Sequence, residues 1–322
     1  MFRYLIKRLL QMIPLLIIIS VISFGVTKLA PGDFLSKMEM NPNVSAETIK
    51  KERERLGLDQ PVQIQYLRWA GNFAKGDMGI SFTYNAPVAS VIGQKLGNTL
   101  ILGLAAMLFT WLIAIPLGIY SAVRQYSLGD KVASVFSFVS LGIPDFFLAL
   151  LLLYFASRTG IFPIGGMMSP QSFTFPWYQQ AVDLLYHLIV PTVAVGIGSI
   201  AILQRRMRGN MLDVLGEDYI RTARAKGLPE NKVIYKHAVR NAINPMVTLL
   251  GYDLAALLSG FALVENVVGW PGLGQLMLQA MVGMDMTLSM AGLMIGATML
   301  IVGNLLADLL LAAVDPRIKL EA

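Results

Sequence analysis

Residues 205 to 240 read RRMRGNMLDVLGEDYIRTARAKGLPENKVIYKHAVR, a basic, soluble-looking stretch set between two long apolar runs. It carries nine Lys or Arg (Arg205, Arg206, Arg208, Arg221, Arg224, Lys226, Lys232, Lys236 and Arg240) against four acids, Asp213, Glu217, Asp218 and Glu230. A loop so rich in cations between spans stays in the cytoplasm. Its pattern predicts a helical hairpin. Glu217 and Asp218 stand where a helix N-terminus favours anions, and Arg221, Arg224 and Lys226 close the helix where cations are favoured. Gly227 can supply the left-handed residue that ends it, and Pro229 fits the first turn of the next helix. The small residues Ala223, Ala225 and Gly227 let a foreign groove approach the backbone closely, which makes this a candidate docking helix. A solvated connector is the plainer alternative.

Outward from that loop the chain is apolar. Of 322 residues, 55% are hydrophobic and 14% charged, with a mean hydropathy of +0.61, too apolar for an ordinary soluble domain. About six runs reach the roughly 20 residues that cross a bilayer: about 9–30, 98–123, 133–157, 185–204, 243–264 and 286–313. This predicts an all-α integral membrane protein. An even number of spans puts both ends on one side, and Arg3, Lys7 and Arg8 before the first span, with Arg317 and Lys319 after the last, place them in the cytoplasm. The first apolar run is long for a secretory signal and ends without a small-x-small site, so it is expected to be retained as a span. The net charge of +6 is accounted for by topology and anionic lipid, without nucleic acid. The chain has no cysteine, which excludes disulfides and thiolate chemistry.

Four parts follow: 1–30, the cytoplasmic end and first span; 31–97, an extracytoplasmic insertion; 98–313, a core of five further spans containing loop 205–240; and 314–322, a cytoplasmic tail. The charges of the insertion nearly cancel, so it can be translocated. Ser45 is a candidate helix cap with Glu47 in the first turn, and 61–73 suits a second short helix lying on the membrane or on neighbouring spans. The insertion can receive a substrate-binding protein, or act as a lid packed on the first two spans.

No Gly-x-x-x-x-Gly-Lys-Ser/Thr phosphate loop occurs, so energy must come from elsewhere. Neither a metal cluster nor a nucleophile–base pair is readable, and an enzyme is not expected. His187 and His237 are expected to hydrogen-bond at interfaces. Ionisable residues within spans are costly, which makes Asp145, Asp253 and Asp308 functional candidates. Asp145 follows Pro144, which breaks the helical ladder and can turn the carboxylate toward a polar cavity. Asp253 can line a path; hydrogen bonding between helices is the alternative for both. For Asp308, such bonding together with Asn304, one turn away, is favoured. Lys28 should snorkel to the outer interface, and the small residues of the last span offer close-packing surface.

Thr222-Ala-Arg-Ala-Lys-Gly227 followed by His237-Ala-Val-Arg-Asn-Ala-Ile-Asn-Pro245 resembles the EAA loop of ABC-type importer permeases, in its peptide-permease version. Arg3–Arg8, Leu29–Asp33, Leu56–Pro61, Gly76–Ser81, Trp270–Gly274 and Asp315–Arg317 resemble the same branch, in order along nearly the whole chain, and the B-type subunit of dipeptide and oligopeptide importers is most similar. The loop departs from the generic pattern: Arg221 and Thr222 stand where Glu and the first Ala would be, and Val239-Arg240 replaces Leu-Pro. The resemblance implies a type I ABC importer permease fold in a bacterial or archaeal cytoplasmic membrane. It also implies a heterodimer with a second permease, two cytoplasmic ATPases and an external binding protein delivering short peptides. ATP and Mg would sit on the ATPases, with no cofactor in this chain. The coupling helix would comprise Glu217, Asp218, Tyr219, Arg221, Thr222, Ala223, Arg224, Ala225, Lys226 and Gly227. Import of nickel or another small solute is the alternative within the family. Outside it stand an ion-driven carrier using the span carboxylates and a non-transporting scaffold or receptor.

Overall fold

The computed structural model describes residues 2–29, 45–55, 57–257 and 261–314. The motif residues 30–33, the insertion charges up to 44, and the Asp315–Arg317 motif with Lys319 lie outside them. The described chain is almost wholly helical. Its first helix, α1 (Phe2–Leu29), is followed by α2 (Ala46–Arg55), α3 (Val62–Ala74) and a short antiparallel hairpin, β1 (Ile80–Ser81) with β2 (Ala86–Pro87). Then come α4 (Val88–Val123), α5 (Leu128–Gly142), α6 (Asp145–Thr159), α7 (Trp177–Leu215) and α8 (Asp218–Ala225). A helical turn (Glu230–Lys232), a π-helical stretch (Val233–Val239) and another turn (Arg240–Ala242) lead into α9 (Asn244–Leu257), α10 (Ala262–Val268), α11 (Leu273–Gly283) and α12 (Met286–Val314).

Among the described residues four helices are long and apolar enough to cross a membrane: α1, α4, α7 and α12. The expected third span is a bent pair, α5 and α6, which meet at 104° and count as a fifth if taken together. Pro144 is the cause: it lacks the amide that would continue the ladder and disfavours helical backbone at Ile143, which is extended at ψ 118°. Asp145 is accordingly the first residue of α6, not a mid-span residue. The expected fifth span, 243–264, is also not one continuous described helix. Its described part is α9, Asn244–Leu257, and α10 begins at Ala262; residues 258–260, within the expected span, lie outside the described residues.

The centre of the bundle is α7, whose apolar window is 56% buried against 17% for α1. It packs along α4 through small residues: a Cβ at Gly118 would lie 2.7 Å from that of Met207, and one at Gly196 would press on Phe109. Buried polar side chains join the same helices. Ser137 donates to Gln204 (2.9 Å), which donates to Ser121 (3.2 Å), linking α5, α7 and α4. On the other side α1 packs against α12, and Arg8 pairs with Asp308 at 2.8 Å. Asp308 thus joins two helices, with Arg8 of α1 as one partner.

The insertion ends sooner than expected, because α4 begins at Val88, ten residues before position 98. Val88, Val91 and Ile92 pack with Leu273, Leu276 and Leu288, which draws that segment into the bundle. Ser45 caps α2 by accepting from the Thr48 amide (3.2 Å), as its sequence suggests. α3 lies on α1: Tyr66 bonds Ser20 (2.8 Å), and Phe24, Tyr66, Trp69 and Phe73 form a chain of ring contacts.

At the same end of the bundle, Trp270-Pro-Gly-Leu-Gly274 is pinned to α4. Buried Trp270 donates to the Asn98 carbonyl, Asn98 donates to the Pro271 carbonyl (both 2.9 Å), and the Leu273 amide donates to Thr99 (2.7 Å). Fully buried Glu265 accepts from Thr99 (2.8 Å) and from the Gln275 amide (2.9 Å), and Gly272 leaves room for its carboxylate. Gly272→Ala would overlap that carboxylate and break its bonds, at about 1–3 kcal/mol or more. Reduced abundance in the membrane is the expected result, and normal abundance with an unchanged thermal midpoint would contradict this packing.

Candidate coupling helix and translocation path

The 39-residue α7 is roughly 58 Å long, well beyond the hydrocarbon core, so its last turns carry Arg205, Arg206 and Arg208 out of the apolar region. One residue, Gly216, separates α7 from Glu217, which has the extended backbone of a helix N-cap (φ −70°, ψ 148°) without a side-chain cap bond. The eight residues of α8 then run to Ala225. Gly227 has φ +74°, and the Leu228 amide reaches back to the Ala223 carbonyl (3.4 Å), so the left-handed glycine ends the helix where its sequence predicts.

The two faces of α8 differ in what they touch. Ile220 is fully buried and Ala223 is 7% exposed, both in an apolar cluster with Met207 and Met211 of α7 and Val233, Ile234 and Ala238 of the π-helical stretch. Glu217, Asp218, Tyr219, Arg221, Thr222, Arg224, Ala225, Lys226 and Gly227 are exposed. Ala223 therefore anchors α8 to its own chain, and its small size serves that inward packing instead of an outward face. Arg221 lies 3.4 Å from Asp218, and Arg224 pairs with Glu230 at 2.7 Å across the turn. Hydrogen bonding from Arg224 holds the Glu230 carboxyl below its usual range, but so exposed a pair adds little stability. Asn241 donates to the Tyr219 hydroxyl (3.1 Å), which ties α8 to the segment entering α9. The helix is thus a rigid block fixed to two spans, with a charged and small-residue ridge facing outward.

Behind it lies an ion pair that the sequence does not announce. Arg208 holds Asp130 at both oxygens, Nε to Oδ1 at 2.8 Å and a terminal nitrogen to Oδ2 at 2.9 Å, while the Tyr126 amide donates to the same carboxylate (2.9 Å). This fixes the start of α5 to the extension of α7. The Arg208 bonds are the main reason the Asp130 carboxyl is held below the usual carboxylate range.

Asp253 of α9 accepts from the Trp111 indole (2.8 Å) and lines a recess of about 90 Å³ with Met107, Thr110 and Ser199. Asp145 approaches Gly198, where a Cβ would lie 3.2 Å from its carboxylate oxygen. Asp145 thus stands beside Gly198 of α7, while Asp253 shares its recess with Ser199. Of the histidines, His187 is buried and its Nδ1 bonds the Asp183 carbonyl (2.8 Å), in keeping with a structural role.

Residues 114–320 match the family described as the inner membrane component of binding-protein-dependent transport systems, and residues 1–103 match the N-terminal region of such membrane components. The chain belongs to this family. It is similar along its length to curated members. It is 41% identical to the oligopeptide transport system permease protein AppB of Bacillus subtilis strain 168, over 98% of this chain and 99% of that one. It is 35% identical to the dipeptide transport system permease protein DppB of Escherichia coli K12, over 99% of each. The oligopeptide permease OppB of Mycobacterium tuberculosis is 34% identical over the whole of both chains. This binding-protein-dependent permease is thus a transport subunit of an ABC importer, not an enzyme, and works as an inner membrane component. Membership also implies ATPase and substrate-binding partners.

Proposed function

We propose that this permease carries di- or oligopeptides inward, paired with a second homologous permease, gripped by two ATPases, and fed by an extracytoplasmic binding protein. The observation that carries the coupling part of this reading is the exposed ridge of α8 on a block that packs against its own chain. Ile220 and Ala223 lock that block inward, Gly216 links it to α7, and Tyr219 links it to the entry of α9. A displacement of α8 by closing ATPases would move both spans together and rock the bundle between its two accessible states. The cargo is that for which the similar AppB, DppB and OppB are named, oligopeptides and dipeptides. ATP and Mg belong to the ATPases. In this reading Asp145, beside Gly198, and Asp253, in the recess shared with Ser199, line the path.

The test is peptide uptake by the reconstituted assembly with internal ATP clamped and ion gradients collapsed. Uptake is expected to persist under those conditions and to stop without ATP, and the purified chain alone is expected to hydrolyse none. Uptake that follows the gradient and ignores ATP would reject the importer reading, whereas ATP-dependent uptake of nickel but not peptides would replace only the cargo.

The orientation follows from the basic loop, in the cytoplasmic membrane of a bacterium or archaeon with both termini inside. A chain without cysteine permits a direct check. Lys232→Cys, on an exposed residue, should label only from the cytoplasm, and Lys51→Cys only from outside. Outside labelling at 232 would overturn the topology. Arg208 is unsuitable for this purpose because it is paired with Asp130.

A further inference from the structure

The recess of about 90 Å³ that holds Asp253 divides its chemistry unequally. Met107, Val195 and Phe261 supply apolar wall, and the only side-chain oxygens are those of Thr110, Ser199 and Asp253. Among the described residues no lysine or arginine lines it. Ser199 precedes the cationic turn of α7 at Arg205 by roughly 9 Å of helix, so the recess lies within the apolar layer. A carboxylate there is costly unless it is paired or faces a polar cavity. The Trp111 indole engages only Oδ2 of Asp253. Among the described residues no hydrogen bond or ion pair takes up Oδ1, and the residue is half-buried, not sealed off. Thr110 donates its one hydroxyl proton to the Gly196 carbonyl (3.4 Å), so toward the recess its oxygen can only accept. Ser199 is exposed and can accept as well.

Three acceptors, one of them charged, therefore stand beside an apolar wall with no cation among them. A ligand that completes the set brings positive charge and several donors at one end and carbon at the other. A primary ammonium does this, with three N–H donors and no acceptor. Its attached carbon would meet Met107 and Val195. A calcium ion would seek six to eight oxygens and magnesium a near-octahedral shell, which three side-chain oxygens and an apolar wall do not provide. We infer that the recess binds the primary ammonium group of a passing peptide, with Asp253 Oδ1 as counter-ion and Thr110 and Ser199 as acceptors. This rests on the reading of the recess as part of the peptide path. A contact of this kind reads a group that free peptides share and leaves their side chains unread, which suits a path open to many sequences.

The test is photolabelling of the intact assembly, without ATP or binding protein, by a short alkylamine carrying a diazirine and by the matching alcohol. The amine is expected to label residues 103–110 and 195–199 about tenfold more than the alcohol does, the worth of one charge-assisted hydrogen bond. Asp253→Asn keeps an oxygen for the Trp111 indole but removes the charge, and should lower labelling by the amine about tenfold. Equal labelling by amine and alcohol, a comparison that needs no variant, would overturn the site, as would unchanged labelling of Asp253→Asn. Competition identifies the source of the ammonium. Protection by a free dipeptide of alanine but not by its N-acetylated form assigns the site to peptide amino ends, and protection by N-acetyl-lysine amide alone assigns it to lysine side chains. Equal protection by the free and acetylated dipeptides would reject ammonium recognition. These readouts need neither ATP nor uptake, so their failure leaves the transport reading standing, whereas loss of ATP-driven uptake with labelling intact would reject that reading alone.

Discussion

Arg208→Met is expected to destabilise the permease by about 3–5 kcal/mol, the usual cost of stripping the partner from a buried charge. The direction of the asymmetry follows from exposure. The Asp130 side chain is 4% exposed and Arg208 23%, so removing the arginine strands a carboxylate that cannot reach water, whereas Asp130→Asn strands a guanidinium that partly can. Asp130→Asn should therefore cost less, and the double variant should recover part of the loss because no unpaired charge stays buried. Thermal unfolding of the purified assembly measures the order of the three. Equal midpoints for the single variants and the parent would show that the pair carries no stability. The pH dependence has a fixed sign. The native Asp130 carboxyl titrates below its unfolded value, chiefly because Arg208 hydrogen-bonds its charged form. The stabilisation is therefore complete above the ordinary carboxylate pKa of about 3.9 and fades as pH falls through the lower native value. The deficit of Asp130→Asn relative to the parent should stay constant from about pH 5 to 8 and shrink only below about pH 4.

That ion pair also marks where reading the sequence stops. Charge counting uses Arg208 as one of nine cations that orient a loop, and nothing in one dimension connects it to an aspartate 78 positions away. The same holds for Glu265 and Asp285, which lie outside the long helices and are fully buried yet satisfied by bonds to distant segments. Local signals fared better, since the chemistry that sets them is local. The left-handed Gly227, the Ser45 cap and the entry to α3 at Pro61 each depend on a few neighbours, and each stands within a residue of its expected place. Hydropathy located the apolar runs but not their continuity. A window average does not see that Pro144 turns one run through 104°. The carboxylates illustrate both sides. Asp145 and Asp253 stand out in the sequence as carboxylates within apolar runs, but the neighbours that packing gives them, Gly198 for one and the Trp111 indole for the other, are not legible there.

The same distinction between local pattern and packing decides how the coupling helix should be probed. Composition presents Ala223 and Ala225 as equivalent small residues, yet the first is buried in the cluster of Met207, Met211 and Val233 and the second is exposed. Ala223→Arg would force a charge into that cluster, and loss of the folded permease from the membrane is its expected result. Ala225→Arg meets no such obstacle. Arginine is a good helix former, and a cation in the last turn suits the helix dipole, so folding and abundance should change by no more than about 0.5 kcal/mol. If α8 seats in an ATPase groove, however, the added bulk overpacks that interface by about 1–3 kcal/mol or more. ATP-driven peptide uptake is then expected to fall more than about tenfold, and stimulation of ATP hydrolysis by the binding protein to fall with it. Gly227→Val should weaken the same block from its end, since a β-branched residue at φ +74° is strained by roughly 1–2 kcal/mol. Uptake assayed at matched abundance separates the outcomes. Normal transport by Ala225→Arg would remove the exposed ridge from the coupling path, whereas its loss at full abundance, beside the depletion of Ala223→Arg, would assign one face of α8 to the fold and the other to the ATPase.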